Sequence, residues 1–146
     1  MKELNLEFLE LYKSVDRLIR DAYATGEGVT EYIRIMSSEY KGPKYVSGWA
    51  DELSMLKHVR WVRNKLVHEV NYDADFCEES DYTWLKRFRE NLISAQDPLS
   101  ICKKQEEEVQ RRVAEQRKRR QEENEDSLPK KRVSLWERIK RFFKGN

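Results

Sequence analysis

Several features are scarce in this 146-residue chain, and each scarcity excludes a class of protein. Two cysteines, Cys77 and Cys102, are too few for a disulfide scaffold, and neither has a second cysteine or a histidine at metal-ligand spacing. No apolar run approaches the roughly 20 residues that span a bilayer. The first residues, MKELNLEFLEL, are acidic and amphipathic, unlike a signal peptide. We therefore expect a cytoplasmic protein without a metal or small-molecule cofactor.

Strand signals are missing too, since the chain has no alternating β-branched runs and no Asn-Gly hairpin turns. Apolar residues instead recur at steps of three and four, which is the pattern of amphipathic helices. The predicted helices cover about residues 3–24, 30–40, 47–69 and 81–95. Short connections favour an all-α fold, an antiparallel bundle of four to five helices.

Local signals predict where these helices begin and end. Gly26 and Gly28 end the first helix, and Gly42-Pro43 interrupts the chain after the second. Ser47 is the predicted cap of the third helix, and the acidic stretch at 71–81 is a predicted loop. The inner face of the third helix is predicted to carry Trp49, Leu53, Leu56, Val59 or Arg60, Val62, Leu66 and Val67.

Charge divides the chain unevenly. Residues 1–102 hold 14 Lys and Arg against 18 Asp and Glu, whereas residues 103–146 hold 15 against 9. Asp97 and Pro98 open a highly charged helix as its cap and first residue. This helix is predicted to be a solvated spacer rather than a coiled coil, because apolar positions are not sustained. The predicted domains are a bundle at 1–97, the spacer at 98–126 and a basic amphipathic helix at 127–146.

The last segment, SLWERIKRFFKGN, begins with a capping box of Ser134 and Glu137. Its large apolar side chains share one arc of the helix, and basic side chains lie off that arc. The apolar candidates for contact are Leu135, Trp136, Ile139, Phe142 and Phe143, and the basic ones are Arg138, Lys140 and Arg141. Three interpretations stay open: docking on an anionic membrane surface, docking on a partner protein, and packing on the bundle or a second copy.

The stretch RNKLVHE, residues 63–69, places Arg63 and Asn64 together and His68 five positions after the arginine. At the end of a helix in a small all-α bundle, it resembles the signature of the HEPN superfamily, which occurs in bacterial toxins, CRISPR effectors and RNA-processing factors. The resemblance covers roughly residues 1–96. The toxin branch carries a tyrosine two residues after the histidine, where this chain has Val70, and the nearest tyrosine is Tyr72. Glu69 and Tyr72 are accessory binding candidates.

The resemblance implies metal-independent RNA cleavage by a homodimer, in a toxin or defence setting, with Arg63, Asn64 and His68 as catalytic residues. Histidine exchanges protons near neutral pH, and arginine binds phosphate oxygens through its planar fork. Arg63 and His68 lie about 140° apart around an ideal helix, so a single intact helix would not aim both at one phosphate. A second copy of the helix, or a helix end at His68, would bring them together.

Two other interpretations of the stretch stay open. Arg63 and His68 can be ordinary surface groups at a helix end, where the dipole favours a cation. Alternatively, the chain is a non-catalytic HEPN-like adaptor that binds RNA or protein, and its C-terminal helix docks it on a membrane surface or a partner protein.

Overall fold

The computed structural model describes residues 3–68 and 76–127, and all regular secondary structure in them is helical. The helices are α1 Glu3–Tyr23, α2 Val29–Ser38, α3 Gly42–Tyr45, α4 Trp49–His68, α5 Glu79–Ile93 and α6 Pro98–Ser127. The predicted all-α helical bundle is confirmed. No helix in this described part is long and apolar enough to cross a membrane.

The first compact unit, residues 1–106, buries one apolar face of each long helix. Helix α1 packs chiefly on α5, and α2 packs chiefly on α4. The side chains at the centre are fully buried, and burying each large one stabilises the fold by about 1.5–3 kcal/mol. Prominent among them are Phe8, Val15, Ile19, Tyr32, Met36, Leu56, Val59, Leu85 and Phe88.

The connection between α2 and α4 differs from the prediction. Gly42 and Pro43 begin the single-turn helix α3, because proline is compatible with the first turn of a helix. Gly42 is required there, since a Cβ atom would lie 2.2 Å from the ring of Trp49. Helix α4 begins at Trp49, directly after Gly48, whose φ of +76° suits glycine. The predicted cap Ser47 is therefore one residue too early.

Two other predictions need correction. Val67, predicted on the inner face of α4, is 46% exposed. The sequence pattern assigned one inner position to either Val59 or Arg60, and the structure buries Val59 there. The loop predicted at 71–81 ends earlier, because Glu78 and Asp81 form a capping box at the start of α5. The hydrogen bonds of this capping box start α5 at Glu79, within the stretch that was predicted to be a loop.

Asp97 and Pro98 open α6 as predicted, and their surroundings show why. Asp97 is buried, and its Oδ2 accepts a 2.6 Å hydrogen bond from the Tyr32 hydroxyl. The same hydroxyl accepts a 3.0 Å bond from the backbone N–H of Leu99. Burial and the adjacent Asp97 carboxylate raise the pKa of Tyr32 well above its ordinary range. This polar cluster joins the start of α6 to α2.

The beginning of α6 belongs to the first compact unit, which extends to Glu106. There Leu99 and Cys102 enter the core, and Lys41 donates a 2.6 Å hydrogen bond to Glu106. In the second unit, residues 107–126 are almost all exposed, as expected of a solvated helix. Glu108 and Arg112, one turn apart on this helix, form an ion pair at 2.6 Å. The predicted contact residues of the C-terminal segment, Leu135 to Phe143, lie outside the described residues.

Candidate functional site

The three predicted catalytic residues lie in the last turns of α4, which is helical through His68. Asn64 and His68 are exposed, and Arg63 is half-buried against the bundle. The accessory candidates Glu69 and Tyr72 lie outside the described residues. The apolar residues Val59, Val62 and Leu66 hold this part of α4 on the core, so its opposite face is presented to solvent.

Arg63 is directed toward α1. Its guanidinium carbon lies 5.7 Å from the ring centre of Tyr12, and its Nη1 donates a 3.0 Å hydrogen bond to Asn64 Oδ1. Burial, and then the Asp16 carboxylate, raise the pKa of Tyr12 to about 12, an effect that Arg63 and Arg60 partly offset. The hydrogen bond from Arg63 to Asn64 therefore holds the Arg63 guanidinium in position.

A groove of about 330 Å³ runs between α1 and α4, and Arg63 lines it. The other lining residues are Leu6, Leu9, Glu10, Tyr12, Lys13, Asp16 and Val67. Among the residues that the structure describes, neither Asn64 nor His68 belongs to this lining. With α4 intact, Arg63 and His68 are about 140° apart around the axis and about 7.5 Å apart along it. Within an intact helix, the two side chains therefore point too far apart to meet at one phosphate.

The end of α4 carries a basic surface that the motif alone did not indicate. From Lys57 to His68 the helix has four Lys or Arg residues, two histidines and no acidic residue. On a helical wheel with about 100° per residue, six side chains of this segment share an arc of about 120°, and all of them are exposed except the half-buried Lys65. This arc, here called the α4 face, contains Lys57, His58, Trp61, Asn64, Lys65 and His68. The absence of acidic residues from 57 to 68 can be read from the sequence, but a charge count over the first 102 residues gives a net negative value and does not indicate it.

One end of the α4 face is fixed to α5. His58 Nε2 lies 2.9 Å from Asp81 Oδ1, and Asp81 Oδ2 accepts a 3.0 Å bond from the backbone N–H of Glu78. Asp81 is buried, and its one carboxylate both caps α5 and contacts His58. His58 and Asp81 are far apart in sequence, and only the packing of α4 against α5 reveals the pair.

The cysteines do not form a reactive site in this structure. Cys77 and Cys102 are free thiols, and both are buried. Burial, and then the carboxylates of Asp81 and Glu78, raise the pKa of Cys77 to about 12, so its thiolate is scarce at neutral pH. Within residues 3–68 and 76–127, no group of three or more His, Cys, Asp or Glu residues could hold a metal ion.

The fold and the α4 face define a small all-α helical-bundle protein in which helix α4 ends in a basic, partly aromatic surface. The chain belongs to a family of unknown function, DUF6548, whose model matches residues 6–142. No curated protein and no solved structure matches the chain.

Proposed function

We propose that this protein is a metal-independent endoribonuclease of the HEPN type, which acts as a homodimer in a toxin or defence setting. The observation that carries the proposal is the α4 face, on which Asn64 and His68 lie among basic side chains without an intervening acid. The resemblance of RNKLVHE to the HEPN signature supplies the reaction class.

The chemistry of these side chains suits cleavage of RNA at a phosphodiester. His68 accepts the proton of a ribose 2′-hydroxyl, whose oxygen attacks the adjacent phosphorus. The bond from phosphorus to the 5′-oxygen breaks, and that oxygen takes a proton from the second histidine of the dimer. Arg63 binds the non-bridging oxygens, on which negative charge grows. The products are a 2′,3′-cyclic phosphate and a 5′-hydroxyl.

The geometry of α4 supports a dimeric cleft over a monomeric one. Arg63 lies on the side of α4 that borders α1, and His68 lies on the exposed face. A second copy of α4, placed antiparallel to the first, would set the arginine of one chain beside the histidine of the other. Asn64, which is already bonded to Arg63, would then orient the arginine toward the shared phosphate.

Local charge supports RNA as the ligand. The first 102 residues have four more acidic than basic residues, which by itself disfavours a polyanion. The α4 face concentrates positive charge at one place on this acidic background, and phosphate contacts depend on such local charge. Binding is accordingly expected to weaken steeply as the salt concentration rises.

The direct test is cleavage of a mixed RNA pool by the purified full chain in excess chelator. Wild type should cleave and leave cyclic-phosphate ends, whereas His68→Ala and Arg63→Ala should not. Lys118→Ala, in the exposed part of α6, is a matched control that removes a surface charge and should cleave as wild type does. Equal cleavage by wild type and His68→Ala would indicate a contaminating nuclease and refute the proposal.

The groove between α1 and α4 favours a second candidate function, a non-catalytic adaptor. Leu6 and Val67 are 51% and 46% exposed, and apolar side chains exposed side by side are typical of protein contacts. In this case the C-terminal segment would anchor the protein to an anionic membrane surface or to a partner protein. Pelleting with anionic liposomes, lost in a Trp136→Glu, Phe142→Glu double variant, would support the membrane anchor; a wild type that never pellets would exclude it.

A further inference from the structure

Trp61 is a large aromatic side chain that the bundle leaves 49% exposed. The tryptophan at the start of α4, Trp49, is buried, and Trp84 on α5 stacks on Phe88 at 5.3 Å. Trp61 lies instead on the α4 face, among Lys57, Lys65 and the two histidines. An exposed indole with two lysines beside it suits a ligand that is both flat and negatively charged.

The Trp61 ring is held in a fixed orientation. His58 stacks on it with the ring centres 6.1 Å apart and the planes 22° apart, and Phe76 meets it edge-on at 6.5 Å. His58 is in turn held by the buried carboxylate of Asp81 at 2.9 Å. An aromatic surface that is ordered before binding loses little conformational freedom when a ligand stacks on it.

We propose that Trp61 and His58 form a stacking platform for an unpaired base of single-stranded RNA. This inference rests on the proposed ribonuclease function and names its substrate class. Successive bases of single strands stack on exposed aromatic rings, whereas the bases of a duplex have their faces covered by one another. The charge of the α4 face complements the phosphates of such a strand.

The surroundings of the platform match a nucleotide as a whole. Lys65 Nζ lies 5.8 Å from the centre of the Trp61 ring, so a positive charge is already beside the ring on which a base would stack. Lys57 lies one turn before Trp61 on the same face. His68 is seven residues beyond Trp61, about 10.5 Å along the axis and only about 20° around it. A base held on Trp61 therefore directs the following strand toward His68.

The test measures RNA binding in a His68→Ala background, so that the probe is not cut. A short fluorescein-labelled RNA of unstructured sequence is titrated by anisotropy, alone and annealed to its complement. Trp61→Ala should weaken binding of the single strand by about tenfold or more, and Trp61→Phe should keep most of the affinity. Binding of the duplex should be weaker and should not change with Trp61→Ala.

Two further variants make the result specific. Trp61→Leu keeps apolar contact with Phe76 but has no aromatic face, so it should bind as poorly as Trp61→Ala even where the alanine variant is less stable. Tyr40→Ala removes an aromatic ring that is 83% exposed and also lies beside a lysine, Lys41 at 5.7 Å. This matched control should bind RNA with unchanged affinity.

Several results would overturn the platform: no binding of the single strand by the His68→Ala protein, unchanged affinity in Trp61→Ala and Trp61→Leu, or a parallel loss of self-association in those variants. The last result would place Trp61 between two copies of the chain. The ribonuclease proposal fails separately. If wild type cleaves RNA and Trp61 is dispensable for binding, only the platform is wrong; if binding depends on Trp61 but wild type does not cleave, only the enzyme is wrong.

Discussion

Removing one buried hydroxyl, by the substitution Tyr32→Phe, should cost the fold about 3 kcal/mol. The Tyr32 hydroxyl donates a 2.6 Å hydrogen bond to Asp97 and accepts a 3.0 Å bond from the N–H of Leu99, and all three residues are buried. A hydrogen bond to a charged group contributes about 1.5–3 kcal/mol, and a buried N–H without a partner costs about 1–3 kcal/mol. Phenylalanine fills the same space, so no cavity adds to the loss.

The assay is urea unfolding monitored by circular dichroism. The free energies of wild type and variant are compared with the same dependence on urea concentration. Tyr40→Phe is the matched control, since it removes the hydroxyl of a tyrosine that is 83% exposed and should change the free energy of unfolding by less than about 0.5 kcal/mol. Asp97→Asn keeps an acceptor for Tyr32 and should be milder than Tyr32→Phe. A Tyr32→Phe protein as stable as the control would refute the account of how α6 is joined to α2.

Three further predictions concern stability and reactivity. Gly28→Ala should cost about 1–2 kcal/mol in urea unfolding, because its Cβ would lie 2.3 Å from the Asp16 oxygen that accepts a 2.8 Å bond from the Val29 N–H and so caps α2. Burial raises the pKa of Tyr12 from 10.0 to about 12, so its contribution to stability is complete below pH 10 and is lost as the pH rises toward 12; Tyr12→Phe should flatten this part of the stability profile, and an unchanged profile would contradict the assignment. Cys77, buried with its pKa at about 12, should react with iodoacetamide at neutral pH only after unfolding, as mass mapping of the alkylated chain would show; fast labelling of the folded protein would contradict this.

The long helices were predictable because their apolar residues repeat at helical spacing over several turns. Phe8, Val15 and Ile19 of α1 carry that repeat, and all three are buried. Asp97 and Pro98 were predictable for a local reason, since each residue type has a defined place at the start of a helix. These features depend only on neighbours in the chain.

Other features depend on contacts between distant segments and were not predictable. Val67 has the helical spacing of a core residue, but it is exposed because it lines the groove between α1 and α4. The capping carboxylate Asp81 meets His58 only because α5 starts beside α4. Gly48, rather than Ser47, directly precedes α4 because the chain has a positive φ there, which side-chain capping preferences do not reveal.

The candidate site likewise has features that the sequence predicts and features that only the packed structure reveals. Arg63, Asn64 and His68 could be selected from sequence, and their separation around the helix followed from helical geometry. The interaction of Arg63 with Tyr12 and the orientation of Trp61 by His58 required the packed bundle. The basic character of residues 57–68 was present in the sequence, and a charge count over short windows rather than whole segments would have found it.

The central claim is that Arg63 of one copy and His68 of another act on the same phosphate, and a mixing experiment tests it most directly. Arg63→Ala and His68→Ala proteins are assayed for RNA cleavage in chelator, each alone and then after unfolding and refolding together. The account predicts that each is inactive alone and that the mixture recovers a small part of the wild-type activity, since a mixed dimer keeps one Arg63 facing one His68 and water replaces the missing second histidine as the proton donor to the 5′-oxygen. A mixture that stays inactive, while wild type treated in the same way cleaves RNA, would contradict the account.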